Sequence, residues 1–188
     1  MKWLFLVTAL SLAPIAAVAQ DGSVVLSPDD ARAFTGLARH KQSEEKKALR
    51  RLSNADIHAA LIDNLTDKTK IIYQKGYGVY VEYSAPDGSD RMWFFSNPNV
   101  VRGVWGVPDT SGKPRACFHY FNSHNYVTGE FESTECISAE QTLSNADVIS
   151  EKTGDVFGLM SGKVPYVKSA MDVPAWPEAT SAETPPAP

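Results

Sequence analysis

Cys117, His119, His124 and Cys136 are the side chains whose types and proximity could do chemistry together. Two thiolates and two imidazoles form the donor set of a tetrahedral zinc site. The spacing C-x-H-x4-H-x11-C matches no usual zinc pattern, because neither cysteine has a near cysteine partner. We therefore expect no metal. Cys117 and Cys136 are the chain's two cysteines, and an isolated pair in an exported protein is usually a disulfide. A bridged sulfur cannot attack, which also removes a Cys–His nucleophile. Among carboxylates, Glu82, Glu130 and Glu132 could serve a hydrolase if two faced each other across a cleft at about 5–9.5 Å, the glycosidase spacing. Glu130 and Glu132 flank Phe131 on an expected strand and read more simply as solvent-side glutamates.

The remaining motif fragments carry no catalysis. Ser161 in Met160-Ser161-Gly162 lacks the preceding glycine of a nucleophile elbow. Gly112-Lys113 has no upstream glycine partner and runs into Pro114, so it is not a P-loop. Gly76-Tyr77-Gly78 opens like a dinucleotide loop but has no third glycine and no following helix. No catalytic residue and no cofactor are assigned.

The elements that must position these residues fall into two textures. Ser27, Pro28, Asp29 and Asp30 spell a helix start, with an N-cap, proline in the first turn and acids at the positive end of the dipole. The helix should run through Phe34 and Leu37 into the charged stretch from Arg39 to Lys47, which is solvated or frayed because its apolar stripe is thin. Ser53-Asn54-Ala55-Asp56 is a capping box leading into Ile57, Ala60, Leu61 and Leu65, a second helix. From about Thr69 the chain turns to short aromatic and β-branched runs separated by turn residues. Strands are expected near 70–74, 77–84, 90–96, 100–107, 115–121, 128–136, 147–152, 156–160 and 164–168. Short connections such as Pro86-Asp87-Gly88 favour antiparallel pairing. The expected fold is mainly β (α+β): N-terminal helices, then an antiparallel meander sheet or small barrel. The pentapeptide Leu52 to Asp56 recurs as Leu143 to Asp147, and both copies read as Ser-capped turns entering an element.

Thirteen of the nineteen aromatic residues lie between Tyr73 and Phe131, so this third of the chain carries the bulky core material. Alternation puts Tyr77, Val79, Val81 and Tyr83 on one face of their strand, with Tyr80 and Glu82 on the other. The face that should be wet shows Tyr80, Trp93 and Phe95. It is covered by a helix, curled into a barrel, or open to a partner. Tyr80, Trp93 and Trp105 are the candidate binding residues, with Glu82 as their polar handle. Replacing Trp93 by alanine should then abolish partner capture at nearly unchanged melting temperature.

The N-terminus reads as a signal peptide over residues 1–19. Lys2 precedes an apolar block from Trp3 to Val18, and Ala17-Val18-Ala19 ends it with an A-x-A site. The expected organisation is 1–19 signal peptide, 20–51 lead and charged helical segment, 52–173 a β-rich domain with one disulfide, and 174–188 a disordered Pro-rich tail. Export would place the protein in the periplasm or outside the cell, with no transmembrane segment after cleavage. The net charge is −4, although the stretch from Arg39 to Arg51 is locally basic. That balance does not fit a nucleic-acid partner, and a small ligand or an envelope protein is the expected one.

One larger pattern joins these pieces: Leu52-Ser53-x-Ala55-x-Ile57, Tyr80-x-Glu82-Tyr83-x-x-Pro86-Asp87-Gly88, Gly103-x-Trp105-x-Val107, Cys117-Phe118, Cys136 and Gly154-Asp155-Val156-Phe157. It resembles a family of small exported alphaproteobacterial proteins of unknown function over roughly residues 50 to 170. The resemblance implies a β-rich periplasmic domain behind a helical segment and brings no catalytic residues. The expected function is a non-enzymatic binding or envelope-associated module. The alternatives are a carboxylate hydrolase and a protein inhibitor of an envelope enzyme.

Overall fold

A computed structural model of the chain describes residues 23–95, 97–109, 112–125 and 128–178. The expected signal peptide and most of the Pro-rich tail lie outside these residues. Helix α1 (Pro28–Leu49) begins as its sequence dictates, with Ser27 Oγ accepting from the Asp30 N–H at 3.1 Å. It does not fray at Arg39. Alanine, glutamate, lysine and glutamine are strong helix formers, a Lys47–Glu44 pair at 2.6 Å supports the last turns, and Leu49 is buried at the far end. Helix α2 (Asn54–Leu65) carries the complete capping box between Ser53 and Asp56 and buries Ile57, Leu61 and Leu65, one face at a spacing of four.

The sheet is a continuous antiparallel meander of β2 (Lys68–Gln74), β3 (Gly78–Ser84), β4 (Ser89–Trp93), β5 (Val101–Gly106), β6 (Arg115–Phe121) and β7 (Thr134–Ser138). Strand β8 (Val148–Thr153) returns to pair with β2, giving the order β7-β6-β5-β4-β3-β2-β8. The sheet curls into a half-barrel with β7 and β8 as its two edges. A short helix α3 (Ala139–Leu143) links those edges and packs on α1 and α2. The fold is therefore mainly β with N-terminal helices. The expected strand at 128–136 starts only at Thr134, because Glu130 to Ser133 belong to the preceding loop.

Each face of the sheet has its own core. The concave face packs Val107, Ala116 and Phe118 against Ile57, Leu61 and Leu65 of α2, with Leu49 and Ala139 closing the layer. The outer face packs Ile71, Tyr73, Val79, Val81 and Trp93 against the start of α1 and the C-terminal segment. That segment overturns two expected strands, 156–160 and 164–168. Asp155 instead caps a 3-10 turn at Leu159–Ser161, accepting from the N–H groups of Leu159 and Met160 at 2.7 and 2.8 Å. The chain then runs across the outer face until β1 (Val24–Val25) and β9 (Asp172–Val173) pair and tie its two ends together. Pro174 is buried, and Trp176 stacks on Phe157 with ring centroids 5.3 Å apart, so the head of the expected tail is docked.

The crossing has a backbone cause. Strand β4 pairs with β3 only from Ser84 to Val81, which leaves Val79 without a ladder partner on that side. Ala170 O accepts from the Val79 N–H at 2.6 Å, and the buried Lys168 ammonium donates to Val79 O. A buried peptide group must be paired, and the C-terminal segment pairs this one. Gly78 is required there: its φ is +83°, and a Cβ would lie 2.3 Å from Ala170 O.

The second pentapeptide differs in role from the first. Ser53 is the N-cap of α2, whereas Ser144 is the C-cap of α3. Asn145 then turns the chain with φ +45°.

Candidate functional site

Register decides which aromatic residues meet. Trp93 pairs with Val81, so it shares the outer face with Val79 and Tyr83 and lies opposite Tyr80 and Glu82. It is 1% exposed and packs edge-on against Tyr166 and Phe157 at 4.7 and 5.6 Å. The expected partner-binding role of Trp93 is corrected on this point: a core indole presents no surface to a partner. Trp105 lies on the concave side among the α2 core, donating from Nε1 to Ala85 O at 2.9 Å and bracing the β3–β4 turn. Of the four candidates, only Tyr80 and Glu82 are neighbours.

Tyr80 stands between two hollows of the concave face. The inner one lies against α3 and Lys70. The outer one is a small, partly open cleft at the end where β3 and β4 part. Its walls are the rings of Tyr77, Tyr80, Phe94 and Tyr120, with Met92, and its polar groups include Gln74, Asn97, Asn125 and Glu135. Tyr77 and Phe94 meet edge-to-face at 6.1 Å. The Tyr77 hydroxyl donates to Asn125 Oδ1, tying the β2–β3 turn to the β6–β7 loop across the top of the cleft.

Tyr120 reaches its place because β5 offers a glycine beneath it. Gly103 is its cross-strand partner, and a Cβ there would stand 2.8 Å from Tyr120 Cδ1. The ring lies over Gly103, and its hydroxyl donates to Glu82 Oε1 at 2.5 Å, two strands farther on. Glu82 and Asp90 form a buried acid pair beneath it. Burial first, and then the Glu82 charge, push the Asp90 carboxyl well above the usual carboxylate range. Burial also raises Glu82, opposed by the Tyr120 hydrogen bond and Lys70. Asp90 Oδ2 accepts from Ser84 Oγ at 3.0 Å, while Oδ1 has no partner among the described residues. A neutral acid bears that burial far more cheaply than a carboxylate.

Lys70 is cross-strand to Glu82. Its ammonium donates to Asn64 Oδ1 at 2.6 Å and Asn145 Oδ1 at 3.0 Å, with Glu151 at 3.8 Å. Burial lowers its pKa. Asn145 from the second pentapeptide thus anchors the lysine that stands opposite Glu82.

The other expected candidates do not assemble. Cys117 and Cys136 are cross-strand partners joined as a disulfide. His119 bonds Thr134 Oγ1 at 2.8 Å on the outer face, and His124 sits at the cleft rim against Phe131. Glu130 is exposed in the loop before β7, and Glu132 accepts from the Asn122 N–H at 3.0 Å. Neither lines the cleft that Glu82 approaches. Sequence reasoning missed Tyr77, Phe94, Tyr120 and Glu135. Alternation along β6 gives Tyr120 its face, but only the register with Gly103 shows what it reaches.

By fold and site the chain is a mainly β, α+β protein whose aromatic cleft opens on the concave face of a half-barrel. No family model, characterised protein or solved structure matches it. No helix among the described residues is long and apolar enough to cross a membrane.

Proposed function

We propose that this chain is an exported, non-enzymatic binding module, and that the cleft between Tyr77, Tyr80, Phe94 and Tyr120 holds a small ligand. The observation that carries this is the cleft itself: a concavity with aromatic walls, a few polar groups on its rim and the Tyr77–Asn125 bond across its top. Ligand sites are concave, largely apolar and furnished with a few orienting polar groups. Export is supported by the Lys2-to-Ala19 leader pattern and by the Cys117–Cys136 bridge, which persists in an oxidising compartment. The resemblance to small exported alphaproteobacterial proteins belongs to the same reading, and periplasmic residence is part of it.

Native mass spectrometry of the full chain, expressed with its leader and recovered from the periplasm, tests both parts. The expected species begins at Gln20, carries the bridge and retains a small-molecule adduct. Amide shifts on adding that molecule should centre on Tyr77, Tyr80, Tyr120 and Glu135. Protein recovered only from the cytosol with both thiols free overturns export. A bare polypeptide whose cleft amides stay fixed throughout a diverse small-molecule screen overturns the binding site.

A further inference from the structure

The chemistry of the cleft wall narrows what it can hold. Glu135 on β7 is a cleft residue, exposed, with no ion-pair partner among the described residues. Its field reaches across the cleft: after burial, the Glu135 carboxylate is the largest influence raising the Tyr77 hydroxyl, and after burial and Glu82 it also raises Tyr80. Among the described residues no lysine or arginine lines the cleft, and the imidazole of His124 sits at its rim against Phe131. The nearest buried charges behind Tyr80 and Tyr120 belong to the Glu82–Asp90 pair, and Lys70 is already held by two asparagine oxygens. Aromatic faces are the negative side of their quadrupole, so a ring-lined hollow with a carboxylate wall attracts positive charge. A hard metal ion wants six or more oxygens around it, and a single carboxylate does not supply that. An anion finds no lysine or arginine there among the described residues.

We infer that the cleft binds a compact organic cation, a quaternary ammonium or an alkylated amine, with its charged head between Glu135 and the rings of Tyr77, Tyr80 and Tyr120. This deepens the binding reading and rests on it. Rings supply the cation–π and apolar contacts, Glu135 the counter-charge, and Gln74, Asn97 and Asn125 polar groups for a substituent.

The test is a titration of the full mature chain, followed by amide shifts and calorimetry at fixed ionic strength. The probes are choline, its uncharged carbon isostere dimethylbutanol, and acetate. Choline should shift the cleft amides and bind at least about tenfold more tightly than dimethylbutanol, the scale of a cation held by an aromatic face and a carboxylate. Glu135→Gln is a surface change that keeps the fold. It should weaken choline about tenfold and leave dimethylbutanol unchanged. Equal affinity for the two isosteres, preference for acetate, or indifference of choline binding to Glu135→Gln overturns the cation assignment while leaving the binding cleft standing. If none of the three probes moves a cleft amide, the cation assignment falls; if a diverse screen also fails, the binding reading falls with it.

Discussion

Trp93 and Lys168 show how much a single side chain can carry on the outer face. The Trp93 ring is enclosed by Val81, Phe157 and Tyr166, with the Lys168 ammonium 6.0 Å from its centroid. Trp93→Ala is expected to cost about 3–5 kcal/mol, the range for truncating a buried aromatic. A urea unfolding curve measures it, and a change below about 1 kcal/mol would show that the indole is not core. Lys168 adds a pH signature. Burial lowers its pKa to about 8, partly offset by Asp172. The unfolded chain holds that proton up to the ordinary lysine range, so between about pH 8 and 10 it binds more protons than the folded one, and stability rises with pH. Lys70, lowered by burial, adds in the same direction. Above about pH 10 the sign reverses, because burial and the Asp67 contact push the Tyr83 hydroxyl up to about 12 and the unfolded chain loses its tyrosine protons first. These groups therefore give stability a local maximum at about pH 10. Lys168→Met should flatten the rise below the peak; an unchanged slope would place that proton elsewhere.

At the scale of elements, the β6–β7 hairpin depends on its bridge. Strand β7 is a sheet edge of five residues, and Cys117–Cys136 closes a loop with a sequence separation of 19. In the chain-entropy model such a loop contributes roughly 3 kcal/mol. The double substitution of both cysteines by alanine should lower stability by about that amount, and a reducing agent should then have no further effect. The same edge carries Glu135, so the loss should be accompanied by loosening of the cleft wall, visible as faster amide exchange in β7.

Elements also divide into those that announce themselves and those that do not. Both helix starts are legible because caps act within four residues: Ser27 with Pro28, and Ser53 with Asp56. The meander from β2 to β6 is legible because alternation and short turns are local. The C-terminal segment misleads. Val156 to Lys168 alternates like a strand, yet its partners are Trp93 and the open backbone of Val79, residues far back in the chain. Helix α3 has too few residues for a periodic signal and exists because it spans two sheet edges.

For the whole molecule, one curled sheet serves two cores, and α1 touches both, through Ala31 and Phe34 at its start and Leu49 at its end. The charged segment before residue 51 is therefore integral to the fold. Its exposed lysines and arginines cover a helix that turns Ala31, Ala38 and Leu49 inward. Curling gives the aromatic strands two buried faces, which is why alternation of polar and apolar residues fails along β3 and β4. The amino-acid sequence alone determined α1 and α2 with their caps, the antiparallel strands from β2 to β6 and the pairing of the two cysteines, since each rests on interactions between near neighbours or on a residue type with one possible partner. It also brought Tyr80 and Glu82 together, two residues apart on one strand. Tertiary structure decided the rest: Trp93 went into the outer core, Tyr120 came over Gly103 to Glu82, and Glu135 arrived beside Tyr77 and Tyr80. A shift of one residue in register reverses a side chain's face, and register is set by packing across the whole sheet.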